Sequence, residues 1–133
     1  MKKYILIVFL FVTATGFAQK TVQDANAQRR AVPVFHAIEA SDGIDLYISQ
    51  GNDEGLAVSA STSEYRNRIH SEVVNGTLKL YYDKPNKWGI SWSSNRKLKA
   101  YISIRSLDNL DVSGGSDVYI ENDLKITSLN MHL

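Results

Sequence analysis

The chain has 133 residues, 15 Lys and Arg against 14 Asp and Glu, a formal net charge of +1 and no cysteine. The balanced charge gives no steering toward nucleic acid, and the length suits one domain rather than two. With no thiol in the chain, a disulfide framework, a thiolate nucleophile, a cysteine metal site and a lipidated N-terminal cysteine are all excluded.

The N-terminus reads as an export leader over residues 1–18. Lys2 and Lys3 are basic, residues 4–12 are apolar and uncharged, and Gly16-Phe17-Ala18 places small residues where a signal peptidase would cut. The apolar run is short of the roughly 20 residues that cross a bilayer, so no transmembrane segment is expected once the leader is cleaved before Gln19. Loss of Lys2 and Lys3 leaves one more acidic than basic group. Location in the periplasm, on the outer-membrane surface or outside the cell follows.

Residues 19–33 are polar, with no periodicity of either kind, and read as a tether. Pro33 biases Val32 toward extended backbone and so introduces the first strand. From Val34 the period is two. Ile44, Leu46 and Ile48 alternate with Asp45, Tyr47 and Ser49, and Leu56, Val58 and Ala60 follow a turn over residues 50–55. Residues 63–68 allow one helical turn, and residues 69–74 resume extended structure. Asn75-Gly76 closes a hairpin, because a type I′ turn needs positive φ at both central residues. Leu78, Leu80 and Tyr82 form the return strand.

Residues 83–97 are a long loop rich in Asn, Ser, Lys and Trp. Leu98, Ala100, Ile102 and Ile104 then share one face, and Leu107, Leu110 and Val112 lead into Ser113-Gly114-Gly115-Ser116-Asp117. The two glycines allow the chain to turn with positive φ, and Asp117 is placed to bond neighbouring amides as a strand resumes at Val118. Residues 130–133 repeat the register of residues 109–112 after twenty-one positions, a spacing typical of coils and arrays. The expected architecture is therefore all-β: a right-handed β-helix-like solenoid with N-terminal antiparallel hairpin elements, interrupted near Leu133, where a second glycine corner would fall.

Phe35-x-x-Ile38, the run from Gly43 to Ile48 followed by Gln50-Gly51, the run from Val74 to Leu78, Tyr101-Ile102-Ser103 and the run from Leu110 to Val118 occur in an order that resembles the bacterial auto-transporter adhesin, head GIN domain family over residues 34–133. The resemblance implies an exported β-helical body with an adhesin-like or envelope-scaffolding role and further glycine-cornered rungs. It carries no catalytic residue and no cofactor. Gly43, Gly76, Gly114 and Gly115 serve backbone geometry in that reading, and Ile44, Leu78 and Val112 the core.

No constellation for catalysis emerges, and a non-enzymatic protein is expected. The glycine corner lacks the extra glycine of calcium-binding β-rolls, and Ser113 and Ser116 have neither a nucleophile elbow nor a partner histidine. His36, His70 and His132 are too dispersed for a local metal motif. Asp42, Asp45, Asp53 and Glu54 crowd a turn region where paired acids would serve glycoside cleavage, or else stand as solvated loop charges. Asn75-Gly76-Thr77 matches a glycosylation pattern that the hairpin itself demands. Trp88 and Trp92, with Tyr81, Tyr82 and Tyr101 close by in sequence, are the candidates for stacking on a cell-surface glycan or anchoring a protein. The competing reading has Trp88 and Ile90 folding back to cover one end of the sheet. A carbohydrate-binding or polysaccharide-processing β-helix protein is the alternative function.

Overall fold

The computed structural model describes residues 24–83, 95–121 and 124–132, the last four of these through their backbone. Ten strands occur among them: β1 (Gln28–Arg30), β2 (Ala37–Ala40), β3 (Asp45–Gln50), β4 (Gly55–Ser59), β5 (Ile69–Val74), β6 (Thr77–Tyr82), β7 (Lys99–Ile104), β8 (Leu107–Ser113), β9 (Val118–Ile120) and β10 (Ile126–His132). A single helical turn, α1 (Ser63–Arg66), lies between β4 and β5, and the Thr62 hydroxyl caps it by accepting from the Tyr65 amide at 3.1 Å.

The strands form two five-stranded sheets, ordered β1-β4-β7-β3-β9 and β10-β8-β2-β6-β5. Their inward residues make one core. Leu46, Ile48, Ala100 and Ile102 come from the first sheet, and Ile38, Leu78, Leu80, Leu110 and Val112 from the second. Alternation does what the sequence leads one to expect: on β7 the even positions are buried and the odd ones half-exposed.

The fold is all-β, but the expected β-helix-like solenoid is overturned. In a solenoid each strand lies parallel to its equivalent in the next coil, whereas here both sheets are mixed. The chain packs as a sandwich. β4 runs antiparallel to β1 and to β7, and β5 runs antiparallel to β6. The parallel pairs β3–β7, β3–β9, β2–β6, β2–β8 and β8–β10 sit beside them. β10 pairs with β8 in a register that sets Ile126 against Leu107 and Met131 against Val112, an offset of nineteen rather than the twenty-one read from the sequence. A slip of two residues leaves every side chain on the same face, so parity alone cannot separate these registers.

Part of the stretch expected to be a tether is built into the body. β1 pairs with β4, and the Arg30 guanidinium reaches across to the other layer, donating to the Ile69 carbonyl at 2.9 Å and the Arg66 carbonyl at 3.2 Å. Arg66 in turn donates to the Asn26 carbonyl at 2.9 Å. These charge-assisted bonds explain how a short polar segment without alternation is held as a strand. Residues 1–18, read from the sequence as an export leader, lie outside the described residues.

Candidate functional site: a tyrosine row on an outer sheet face

Three strands of the first sheet carry the same triplet, an aliphatic residue, tyrosine and isoleucine: Leu46-Tyr47-Ile48 on β3, Ala100-Tyr101-Ile102 on β7 and Val118-Tyr119-Ile120 on β9. On β3 and β7 the aliphatic members enter the core, so the tyrosines point outward. The parallel register then sets Tyr101 and Tyr119 on either side of Tyr47. Their rings stack, Tyr47 on Tyr101 with centroids 5.1 Å apart and Tyr47 on Tyr119 with centroids 4.7 Å apart. Stacked pairs of this kind add about 0.5–1.5 kcal/mol each beyond their buried area. Stacking occupies both faces of Tyr47, while Tyr119, at the sheet margin, is 47% exposed.

Charged groups flank the row. Lys99 stands opposite Asp45 in the β3–β7 register, and the Asp45 carboxylate accepts the Asp117 amide at 2.9 Å. At the other end of the row the Tyr101 hydroxyl donates to the Asp24 carboxylate at 2.6 Å. Burial, followed by this bond and the Asp24 charge, raises the Tyr101 phenol far above its ordinary value. Burial alone would raise Asp24, but bonds from Tyr101, the Asn26 amide and Ser59, with the Lys99 charge, outweigh it and hold the carboxyl below its ordinary value. Tyr47 is raised by burial and then by Asp45, Asp117 and Asp24; Tyr119 is raised chiefly by the Asp117 charge. At neutral pH the row is a line of uncharged phenols beside carboxylates.

Tyr101→Phe is expected to cost about 1 kcal/mol at pH 7, because it removes a half-buried hydrogen bond to a charged acceptor. The depressed Asp24 pKa implies stability that is present above its unfolded value, near 3.8, and lost as pH falls through the lower folded value. The gap between wild type and variant in urea unfolding therefore narrows from about pH 4 downward.

Of the residues singled out from the sequence, Tyr101 lies in the row and Asp45 and Asp117 lie beside it; the others fall elsewhere. Trp88 and Trp92 lie outside the described residues. Asn75 and Gly76, at φ 52° and 78°, form the β5–β6 turn. Gly43, Gly114 and Gly115 all have positive φ, and Gly43 lies beside Gly114 in space. Ser113 ends β8, and Ser116 is buried with its hydroxyl 3.4 Å from the Ser113 carbonyl. Asp117 immediately precedes β9, and its backbone amide donates to the Asp45 carboxylate. Tyr82 is buried in the core, and Tyr81 stacks on His70 at 5.2 Å on the other sheet. His36 pairs with Asp108 at 3.1 Å and His70 with Asp83 at 3.6 Å, both pairs exposed. Asp42 accepts the Tyr82 amide at 3.1 Å, and Glu54 pairs with Arg105 at 3.1 Å. Among the described residues no three His, Asp or Glu side chains are grouped to hold a metal ion. The row itself was missed from the sequence, although the thrice-repeated triplet is a signal for it.

No curated protein matches this sequence. Solved structures do match in fold. A "putative adhesin" from Bacteroides fragilis aligns with a TM-score of 0.63 at 22% identity, covering 86% of this chain and 56% of its own. A "putative lipid binding protein" from Parabacteroides distasonis gives 0.60 at 21% identity over 81% of this chain and 47% of its own. A "putative cell adhesion protein" from Clostridium sporogenes gives 0.54 at 15% identity over 79% and 55%. This chain thus spans about half the length of those structures. The sequence model of the family described as "Putative auto-transporter adhesin, head GIN domain" matches residues 34–133, the stretch that forms β2 to β10, and this chain belongs to that family.

Proposed function

We propose that this chain is an exported, non-enzymatic contact domain of a bacterial adhesin, binding a cell-surface glycan or protein through the outer face that carries Tyr101, Tyr47 and Tyr119. The observation that carries this reading is the row itself: three neutral, solvent-facing phenols fixed side by side by hydrogen-bonded parallel strands. Rigid aromatic side chains expose large contact area at small entropic cost. The adhesin family and the N-terminal leader pattern support export, and no helix among the described residues is long and apolar enough to cross a membrane. Binding rather than catalysis is supported by the use of Asp42, Asp45 and Glu54 to hold chain segments together.

Beads coated with the exported protein are expected to adhere to bacterial or host cells more than beads coated with an unrelated β-sandwich. A Tyr47→Ser/Tyr119→Ser double variant, its melting temperature lowered by loss of both ring stacks but still folded at the assay temperature, is expected to lose most of that adhesion. Equal retention of the variant beads would remove the row from the function. Release of reducing sugar from a polysaccharide, abolished by changing one carboxylate, would return the protein to the polysaccharide-processing alternative.

A further inference from the structure

Among the described residues Arg105 is the one arginine with a carboxylate partner, Glu54. Four of the others gather around α1. Arg30 donates to the Ile69 and Arg66 carbonyls, Arg66 to the Asn26 carbonyl, and Arg68 to the Asp83 carbonyl at 3.3 Å. The Arg96 guanidinium lies 4.9 Å over the Tyr82 ring, and the Arg96 carbonyl accepts the amide of Ser61, next to the Thr62 cap, at 2.7 Å. All these partners are neutral. The Arg66 Nε is shut off from solvent without an acceptor, and burial, followed by the Arg66 charge, lowers the Arg30 guanidinium from its ordinary value. Positive charge is thus concentrated, without compensation, where the β1 and β5 margins of the two sheets meet.

The acids near these arginines do not neutralise them. Asp24 holds the Tyr101 hydroxyl, the Asp83 carboxylate faces His70 at 3.6 Å, and Glu64 stands exposed on α1. Residues 1–23 and 84–94, which join this end in sequence at Asp24, Asp83 and Asn95, contain no Asp or Glu, and the second stretch adds Lys84 and Lys87. β9 and β10 close the opposite margins of the sheets, four strand spacings or about 19 Å away. Beside the arginines the exposed side chains are Thr62, Ser63, Asn67 and Asn95. Their hydroxyls and amides can bond sugar hydroxyls, and they give an inserting lipid or an apolar peptide side chain nothing to bury.

We propose that this end of the sandwich is a second binding site, one that takes the carboxylates or sulfates of a linear acidic glycan. Arg68 and Arg96 receive the oxyanions in their planar forks, Arg30 and Arg66 add to the field, and the neighbouring hydroxyls and amides bond the sugar. Guanidinia pinned by a carbonyl or a ring are ordered before the ligand arrives, which lowers the entropic cost of binding. The site shares no residue with the tyrosine row and does not depend on it.

The test titrates the full chain by calorimetry with hexagalacturonate, which carries carboxylates, and with a dextran sulfate of similar length. Binding of at least one is expected, it should weaken as NaCl is raised, and the better ligand tells carboxylate from sulfate. An Arg68→Gln/Arg96→Gln variant should bind roughly tenfold or more weakly, and Glu64→Gln should bind more tightly. Lys125→Gln, which removes an exposed positive charge elsewhere, should match wild type, as should Tyr47→Ser/Tyr119→Ser. The methyl ester of hexagalacturonate keeps the sugar and loses the charge, so it should not bind; this comparison needs no variant and decides the matter if the arginine variant folds poorly. Binding of neither polyanion, equal binding of the ester and the acid, or binding of phosphatidylglycerol vesicles in place of both glycans overturns the proposal. Polyanion binding lost in the tyrosine variant overturns it too, whereas cell adhesion unchanged in that variant counts against the row alone.

Discussion

Ile38→Ala is expected to lower the unfolding free energy by about 2–5 kcal/mol, seen as a lower urea midpoint at an unchanged slope. Ile38 is fully buried on β2, the central strand of its sheet, and its register partners Leu78 and Leu110 are equally buried. Parallel hydrogen-bonded neighbours on both sides prevent β2 from moving into the space left by the lost methyl groups, so the cavity persists. Since a domain of this kind is stable by only about 5–15 kcal/mol, one such truncation takes a large share. Val74→Ala, at a position 40% exposed on the margin strand β5, is expected to stay within about 0.5 kcal/mol. Equal losses for the two variants would mean that the space between the sheets is not the core.

The elements of this fold are legible in its sequence to the extent that one strand carries its own signal. Ile44, Leu46 and Ile48 announce an inward face without reference to any other strand, and Asn75-Gly76 specifies a turn because its backbone geometry is local. Partner choice is not local. β3 lies between β7 and β9, and nothing in Leu46-Tyr47-Ile48 states that Ala100-Tyr101-Ile102 will lie on one side and Val118-Tyr119-Ile120 on the other. Glycine corners and an approximate repeat therefore read as a coil, while the antiparallel entries of β1, β4 and β5 turn the same segments into a sandwich. β1 was illegible for another reason: its residues are largely exposed and show no alternation, and it is held by β4 and by the reach of Arg30 to the Ile69 carbonyl. The tyrosine row shares both limits. Each tyrosine is readable as an outward position, but the row exists only once strand order and register are set.

The corner after β8 gives the second large effect, and it separates two adjacent glycines. Gly114 and Gly115 have nearly the same φ, +78° and +81°, so alanine at either bears the left-handed cost of about 1–2 kcal/mol. Their surroundings differ. A Cβ on Gly115 meets nothing within 4 Å, whereas one on Gly114 comes within 2.7 Å of the Asp42 backbone nitrogen. Asp42 itself has a φ of 65°, next to Gly43 at 76°, and its carboxylate accepts the Tyr82 amide. This turn cannot yield without breaking that bond, so Gly114→Ala is expected to cost about 3 kcal/mol or more, clearly beyond Gly115→Ala. The same corner delivers Asp117 to the Asp45 carboxylate and to the Leu46 amide, the bonds that seat β9 beside β3. Gly114→Ala should therefore also weaken adhesion under conditions where the protein remains folded, and Gly115→Ala should leave it close to wild type. Equal melting temperatures and equal adhesion for the two variants would show that the approach of Gly114 to Asp42 does not set the position of β9.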